Sequence, residues 1–299
     1  VAAIVTPKPK PRTRSIRRGR GHSYELDREK VLGVTTVLRD GVPKGALIAW
    51  AAGEAADYAI DHWDDLAALP LSERQELIRK APDRTRDKAG ERGREVHELV
   101  RRYLAGETIA PPDELRGHVD AGLRFVDEWR VEELAVEFAV FARADPELGR
   151  RHAYGGRPDL LARLADGLDW LLDWKTALKG PFSDWALQLA AYRYADFYVV
   201  DGDLDDAGDF VEHAMPVVDR CGVVHLHGDG SYELVPLEAD EAALEVFAAA
   251  CEVARFTKGD RDEWIGDALR APARADDELE LDADRQAYFD HVDAREAAA

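Results

Sequence analysis

The chain has 299 residues, 46% hydrophobic and 33% charged, which is enough apolar material for one sizeable core. Its formal charge is -20, from 60 acidic and 40 basic residues, so it is not built to grip nucleic acid by bulk charge. Two cysteines, Cys221 and Cys251, cannot make a disulfide framework, a Cys-rich zinc site or an iron-sulfur cluster of four thiolates, and they suit a reducing cytoplasm.

Residues 1–30 read as a flexible basic arm. Lys8, Lys10, Arg12, Arg14, Arg17, Arg18 and Arg20 stand there among prolines with no acidic residue in the first twenty positions. Such an arm could hold a phosphate backbone, or it could be a solvated tail. The N-terminus lacks the apolar core of a signal peptide, and no run of about 18 apolar residues exists for a membrane span, so a soluble cytoplasmic protein is expected. Walker loops, glycine-rich dinucleotide fingerprints and internal repeats are absent from the sequence.

A helical layer is predicted over 31–130. Residues 35–38 open it and the Ala-rich stretch 46–61 continues it. Residues 70–80 (PLSERQELIRK) start like a capped helix, with Ser72 ahead of Glu73 and Gln75. Residues 81–87 read as a polar link. Residues 91–106 form an amphipathic helix, with Val96, Leu99, Val100, Tyr103 and Leu104 along one stripe. His97 sits at the edge of that stripe, where packing or capping is the ordinary role of a histidine and metal ligation the functional one. A further helix is predicted over 115–129.

Residues 134–142 (LAVEFAVFA) read as a strand in which Val136, Phe138 and Val140 alternate with Ala135, Glu137 and Ala139. Glu137 is then either a site group or an edge-strand charge that discourages aggregation. Residues 156–164 (GRPDLLARL), with Pro158 tolerated near their start, and 169–176 (DWLLDWKT) are strands joined by 165–168 into a hairpin. Asp159 and Asp173 become neighbours in it. Asp173 and Lys175 share one face, while Trp170, Leu172 and Trp174 turn to the other. Two carboxylates about 4 to 5 Å apart repel by roughly 3 to 4 kcal/mol at an effective dielectric of 20, so both stay ionised only beside a cation. Taken alone, Asp-x-Lys is also a plain salt bridge on a solvent-facing strand. With a divalent ion it becomes a phosphodiesterase site, in which Lys175 is a candidate general base and electrostatic stabiliser.

Residues 183–198 (SDWALQLAAYRYADFY) read as a helix with Gln188 and Tyr192 on one face. Residues 201–209 make a solvated turn, because their aspartates lack the position-twelve glutamate of an EF-hand. Residues 221–227 and 231–236 form a hairpin around Gly228, Asp229 and Gly230. His225 and His227 share a face of it with no third ligand visible. A closing helix is predicted over 240–256, and 258–299 form an acidic tail with the run DDELELDAD at 276–284.

The order His97, Asp159, Asp173-x-Lys175, Gln188-x-x-x-Tyr192, in a helix-strand-strand-helix setting, resembles the RecB-type nucleases of the PD-(D/E)xK superfamily. These include CRISPR-associated RecB-like exonucleases and related bacteriophage exonucleases. The resemblance runs over residues 35–256, with its motifs inside 93–192. It implies an α/β fold with a restriction-endonuclease-like core, a central mixed β-sheet flanked by helices, and a nuclease domain over 31–257 whose catalytic core spans 91–237.

The implied activity is Mg²⁺- or Mn²⁺-dependent exonucleolytic hydrolysis of DNA, processing ends for recombination or repair. DNA is the implied partner, with a recombination or single-strand-binding protein beside it, in the host cytoplasm if the gene is phage-borne. By the resemblance, Asp159 and Asp173 bind metal, His97 and the backbone carbonyl of Trp174 add ligands, and Lys175 acts on the attacking water. Gln188 and Tyr192 order the site and approach the DNA. Read from the residues themselves, Glu137 and Thr176 support the site, and Arg92, Arg94, Arg101, Arg102, Arg157, Lys179 and Arg193 are pieces of a local basic patch for DNA. The chain departs from many relatives in having Asp173 where they carry glutamate and in lacking the four cluster cysteines. A structure-specific endonuclease of the same fold and a catalytically silent DNA-binding or scaffold module are the alternatives. Intact Asp159, Asp173 and Lys175 argue against silence.

Overall fold

The computed structural model describes residues 12–18, 21–136, 138–259, 264–269 and 290–291. Glu137, residues 1–11 and most of the acidic tail lie outside the described residues. The chain divides into two units, Val1–Gly259 and Asp260–Ala299, and every element named below belongs to the first.

Three strands, β1 (Arg14–Arg18), β2 (Gly21–Leu26) and β3 (Glu29–Gly33), form an antiparallel meander. The predicted flexible arm is therefore sheet over Arg14–Arg18 and Gly21–Leu26. Two features hidden by the charge count explain this. Tyr24 and Leu26 alternate into a small core with Phe141 and Phe197, and Arg14 lies opposite Glu25 in the register and pairs with it at 2.6 Å.

Six helices follow: α1 (Val34–Gly41), α2 (Gly45–Asp61), α3 (Trp63–Ala67), α4 (Leu71–Arg79), α5 (Ala81–Leu104) and α6 (Arg116–Glu128). At α4 the cap position is Pro70 rather than Ser72, and no side chain caps the helix. The predicted polar link 81–87 is the start of α5. Pro82 stands in its first turn, where a missing N–H breaks no helical bond.

The remaining elements are β4 (Glu132–Val136), β5 (Ala139–Ala142), β6 (Tyr154–Gly156), β7 (Leu160–Arg163), β8 (Asp169–Lys175), α7 (Asp184–Arg193), β9 (Phe197–Val199), β10 (His213–Ala214), β11 (Arg220–Leu226), β12 (Tyr232–Leu237) and α8 (Glu241–Lys258). The helix predicted over 183–198 stops at Arg193. Beyond it Phe197 and Val199 bury alternately as β9 against β5. Asp240 caps α8 by accepting the Ala243 amide at 3.0 Å, as the closing helix requires.

The fold is a mixed α/β arrangement with helices on its sheets, but the strands form two mixed sheets rather than one central sheet. One runs β1-β2-β3-β6-β5-β9-β10 and the other β12-β11-β8-β7-β4. Both predicted strands 134–142 and 156–164 break in the middle, and their halves go to different sheets. In the second, Pro158 has no N–H with which to continue a ladder. Asp159 thus stands where the chain passes from one sheet to the other.

β8 lies inside the five-stranded sheet, antiparallel to β7 and parallel to β11. Its Trp170, Leu172 and Trp174 pack with Val96 and Val100 of α5 and Phe125 of α6. Leu171 points to the opposite core, with Leu189 of α7 and Phe247 of α8. That alternation sends Asp173 toward the α7 side. Among the described residues no helix is long and apolar enough to cross a membrane.

Candidate functional site

The β7–β8 register pairs Leu160 with Leu172, so the next step brings Asp159 opposite Asp173, as the hairpin reading required. Asp159 then takes over the ladder with its side chain. Its Oδ2 accepts the amide N–H of Trp174 at 2.9 Å. Asp173 is only 4% exposed, and its carboxylate is closed in by two groups. Lys175 makes an ion pair with Oδ2, while Gln188 Nε2 donates to Oδ1 at 2.9 Å.

Gln188 is buried on α7 and bridges both partners. Its Oε1 accepts from Lys175 Nζ at 3.3 Å and its Nε2 donates also to the Tyr192 hydroxyl at 3.2 Å. The amide is oriented with its oxygen on the ammonium and its nitrogen on the carboxylate, which satisfies both ends. The Lys175 ammonium lies 5.5 Å from the centre of the Trp185 ring, whose π face favours a cation there.

His97 reaches the site from α5, its Nδ1 3.4 Å from Asp159 Oδ2. The helix is placed one turn earlier. Arg92 donates to the Thr176 carbonyl at 3.3 Å, and a Cβ on Gly93 would stand 3.3 Å from Thr176 Oγ1. Gly93 therefore lets α5 close on the end of β8, and His97, four residues on, meets Asp159.

The electrostatics divide the two carboxylates. Burial pushes the Asp159 carboxyl up, but the His97 imidazolium, the Lys175 charge and the Trp174 amide outweigh it and hold the group below its usual range. Asp173 goes the other way. Burial raises it, the Asp159 charge adds to the rise, and Lys175 offsets only part. Burial lowers His97, yet Asp159 and then Asp173 outweigh that and leave it above its ordinary value. Burial lifts the Tyr192 hydroxyl far above the usual tyrosine range, so it stays protonated.

Two carboxylates and an imidazole are donors a divalent cation accepts. Here the side chains pair off instead, Asp159 with His97 and Asp173 with Lys175. A group of ligand atoms within 4.8 Å of one another is found elsewhere, at His225, His227 and Glu233, and could hold a metal ion. The third ligand that the sequence did not reveal is Glu233, which β12 sets opposite His225.

The other predicted site residues are less uniformly gathered. Thr176 is buried against α5, and Tyr192 anchors Gln188. Trp174 meets the site through its amide, which donates to Asp159. Arg94 is exposed on α5, and Arg157 pairs with Asp201 at 3.0 Å. Glu137 is outside the described residues. Arg92, read from sequence as part of a basic patch near His97, instead donates to the Thr176 carbonyl. Trp185 and Gly93 were not foreseen as site residues, and spacing alone carries no sign of their contacts across elements.

No family model and no curated protein matches this sequence. Among solved structures it is similar to one described as "Crystal structure of SSO0001", at 14% identity and a TM-score of 0.31, covering 76% of this chain and 74% of that one.

Proposed function

We propose that this protein is a metal-dependent DNA exonuclease with a PD-(D/E)xK-type core, hydrolysing phosphodiester bonds at DNA ends during recombination or repair. A recombination or single-strand-binding protein is its natural working partner in the cytoplasm. The observation that carries this reading is the apposition of Asp159 and Asp173 across the β7–β8 register, with Lys175 and Gln188 bonded around Asp173 and His97 set against Asp159.

Asp159 and Asp173 would hold Mg²⁺ or Mn²⁺, with His97 as a further ligand, and the ion would supply charge that acidifies water and neutralises the scissile phosphate. The chain's own groups do the rest. Lys175 orients the attacking water, accepts its proton when it enters as the amine, and as the ammonium offsets charge on the phosphate. Gln188 keeps Lys175 and Asp173 in place, and Tyr192 keeps Gln188 in place. In the reaction a water oxygen bonds to phosphorus and the bond to the 3′ oxygen breaks. One proton leaves the water and one reaches the departing 3′ oxygen from solvent. Exposed Arg94, one turn before His97, suits contact with the DNA backbone.

The test compares linear with covalently closed circular DNA, in Mn²⁺ and in EDTA, for the wild type and Lys175→Ala. Loss of linear DNA alone, only with Mn²⁺ and roughly 100-fold slower in the variant, is expected. Cutting of circles would assign an endonuclease instead. Absence of any metal-dependent loss, or a variant as active as wild type, would overturn the assignment.

A further inference from the structure

Outside the Asp159–Asp173 site, the β11–β12 hairpin gathers His225, His227 and Glu233. His225 lies opposite Glu233 in the antiparallel register. His227 follows two residues later on the same face, its ring centre 4.4 Å from that of His225 and its Nε2 3.7 Å from Glu233 Oε2.

The tautomer that the neutral His225 ring adopts is set by its neighbours. His225 is 3% exposed, and its Nε2 lies 2.6 Å from the carbonyl oxygen of Ala177. A carbonyl oxygen only accepts, so Nε2 carries the hydrogen and Nδ1 presents a bare lone pair. That Nδ1 is buried and has no hydrogen-bond partner among the described residues. A buried acceptor left unsatisfied is costly. One ring nitrogen donating to a backbone carbonyl while the other is bare is how histidines are set to bind metal.

The end of the hairpin is held in place independently of any ligand. A Cβ on Gly117 of α6 would lie 1.8 Å from the Gly228 carbonyl oxygen, so only glycine lets the helix pack on this turn. The His118 ring covers the other side of Gly228, where an added Cβ would meet its Cε1 at 3.1 Å.

We infer that His225, His227 and Glu233 form a second cation site, for a zinc-class divalent ion held by two imidazoles and one carboxylate with a fourth position left to water. Borderline ions of this kind take imidazole and carboxylate in a four-coordinate shell, whereas magnesium asks for an octahedron of oxygens. The donors therefore select a different ion from the two aspartates of the first site. Through His225 the ion would brace Ala177, two residues beyond Lys175, at the end of the strand that carries the first site.

The experiment uses the full chain, stripped with EDTA and titrated calorimetrically with ZnCl₂ alone, with bound zinc measured by mass spectrometry after dialysis. Wild type and the double variant Asp159→Asn/Asp173→Asn are both expected to retain about one zinc. His227→Gln and Glu233→Gln change the exposed side of the group and should fold, which circular dichroism would check. Each is expected to weaken zinc binding roughly tenfold or more. Zinc affinity unchanged in both single variants, or zinc lost entirely in the double aspartate variant, would overturn the inference. Thermal midpoints with ZnCl₂ and with EDTA give a second reading. A rise with zinc in wild type that disappears in Glu233→Gln supports the site, and an equal response in both sinks it.

Discussion

Asp159 accepts the Trp174 amide through the same Oδ2 that faces the His97 imidazole, 2.9 Å from the one and 3.4 Å from the other. One carboxylate oxygen thus closes the β7–β8 ladder and pairs the α5 helix. Its removal should separate these two roles. Asp159→Asn keeps an acceptor for the amide, and Asp159→Ala leaves a partly buried N–H without one, at about 1–3 kcal/mol. Denaturant melts in EDTA are expected to show Ala well below Asn in stability, while both lose metal-dependent cleavage. Equal stability of the two variants would mean the amide contact contributes nothing.

Gln188 is the hinge between charge and helix, since its amide bonds Asp173, Lys175 and Tyr192 together. Gln188→Leu is nearly isosteric but removes all three bonds. Because two of them go to charged groups, a cost of about 1.5–3 kcal/mol is expected in urea unfolding. Cleavage should fall by roughly 10-fold or more, since Lys175 loses the group that holds its ammonium. A variant with normal cleavage would place the helix outside the chemistry.

The pH dependence of the His97–Asp159 pair has a definite sign. His97 is raised above its ordinary value, chiefly against the pull of burial and through Asp159, so its stabilisation is complete below about pH 6.5 and is lost as pH climbs through the folded value. Asp159 is lowered, so its share is present above about pH 4 and is lost as pH falls through the folded value. Asp173 behaves oppositely, its burial favouring the protonated acid, and the charge of His97 is among the groups that hold it down. In EDTA the stability gap between wild type and His97→Asn should shrink between about pH 6 and pH 9. A gap that widened with pH would show that His97 is bound as the neutral ring.

Much of this site was legible because strands alternate faces. The sequence periods alone put Asp173 and Lys175 together and opposed Trp174 to them, and the short link at 165–168 brought Asp159 to Asp173. What was not legible depended on partners far along the chain. Gly93 and Arg92 matter because Thr176 lies against them, and Glu233 matters because β12 sets it opposite His225. The basic N-terminal segment misled for the same reason. Its arginine count suggested a free arm, whereas Glu25 across the strand and the burial of Tyr24 and Leu26 make Arg14 part of a sheet. Pro158 was placed correctly near a strand start. Its stronger effect, ending one sheet and letting Asp159 begin another, could not be seen without knowing that two sheets exist.

Gly156 tests how tightly that crossing is built. It is the last residue of β6, two residues before Pro158, and a Cβ there would lie 2.3 Å from Tyr192 Cε1 and 3.0 Å from Val34 Cγ2. Tyr192 cannot simply swing aside. It is 1% exposed, and its hydroxyl receives the Gln188 bond. Gly156→Ala must therefore push the ring, and with it Gln188, or bend the strand that leads to Asp159. Overpacking of this kind costs about 1–3 kcal/mol. Thermal unfolding should show that loss, and cleavage should fall further than stability alone explains, because Gln188 moves off Lys175 and Asp173. Tyr192→Phe in the same background tells the two effects apart. It removes the hydroxyl bond but not the ring, so it should leave the Gly156→Ala destabilisation in place, whereas Tyr192→Leu, lacking the atom that Cβ strikes, should relieve it. If Tyr192→Leu gave no relief, the strain would lie in the backbone of the crossing and not at the Tyr192 ring.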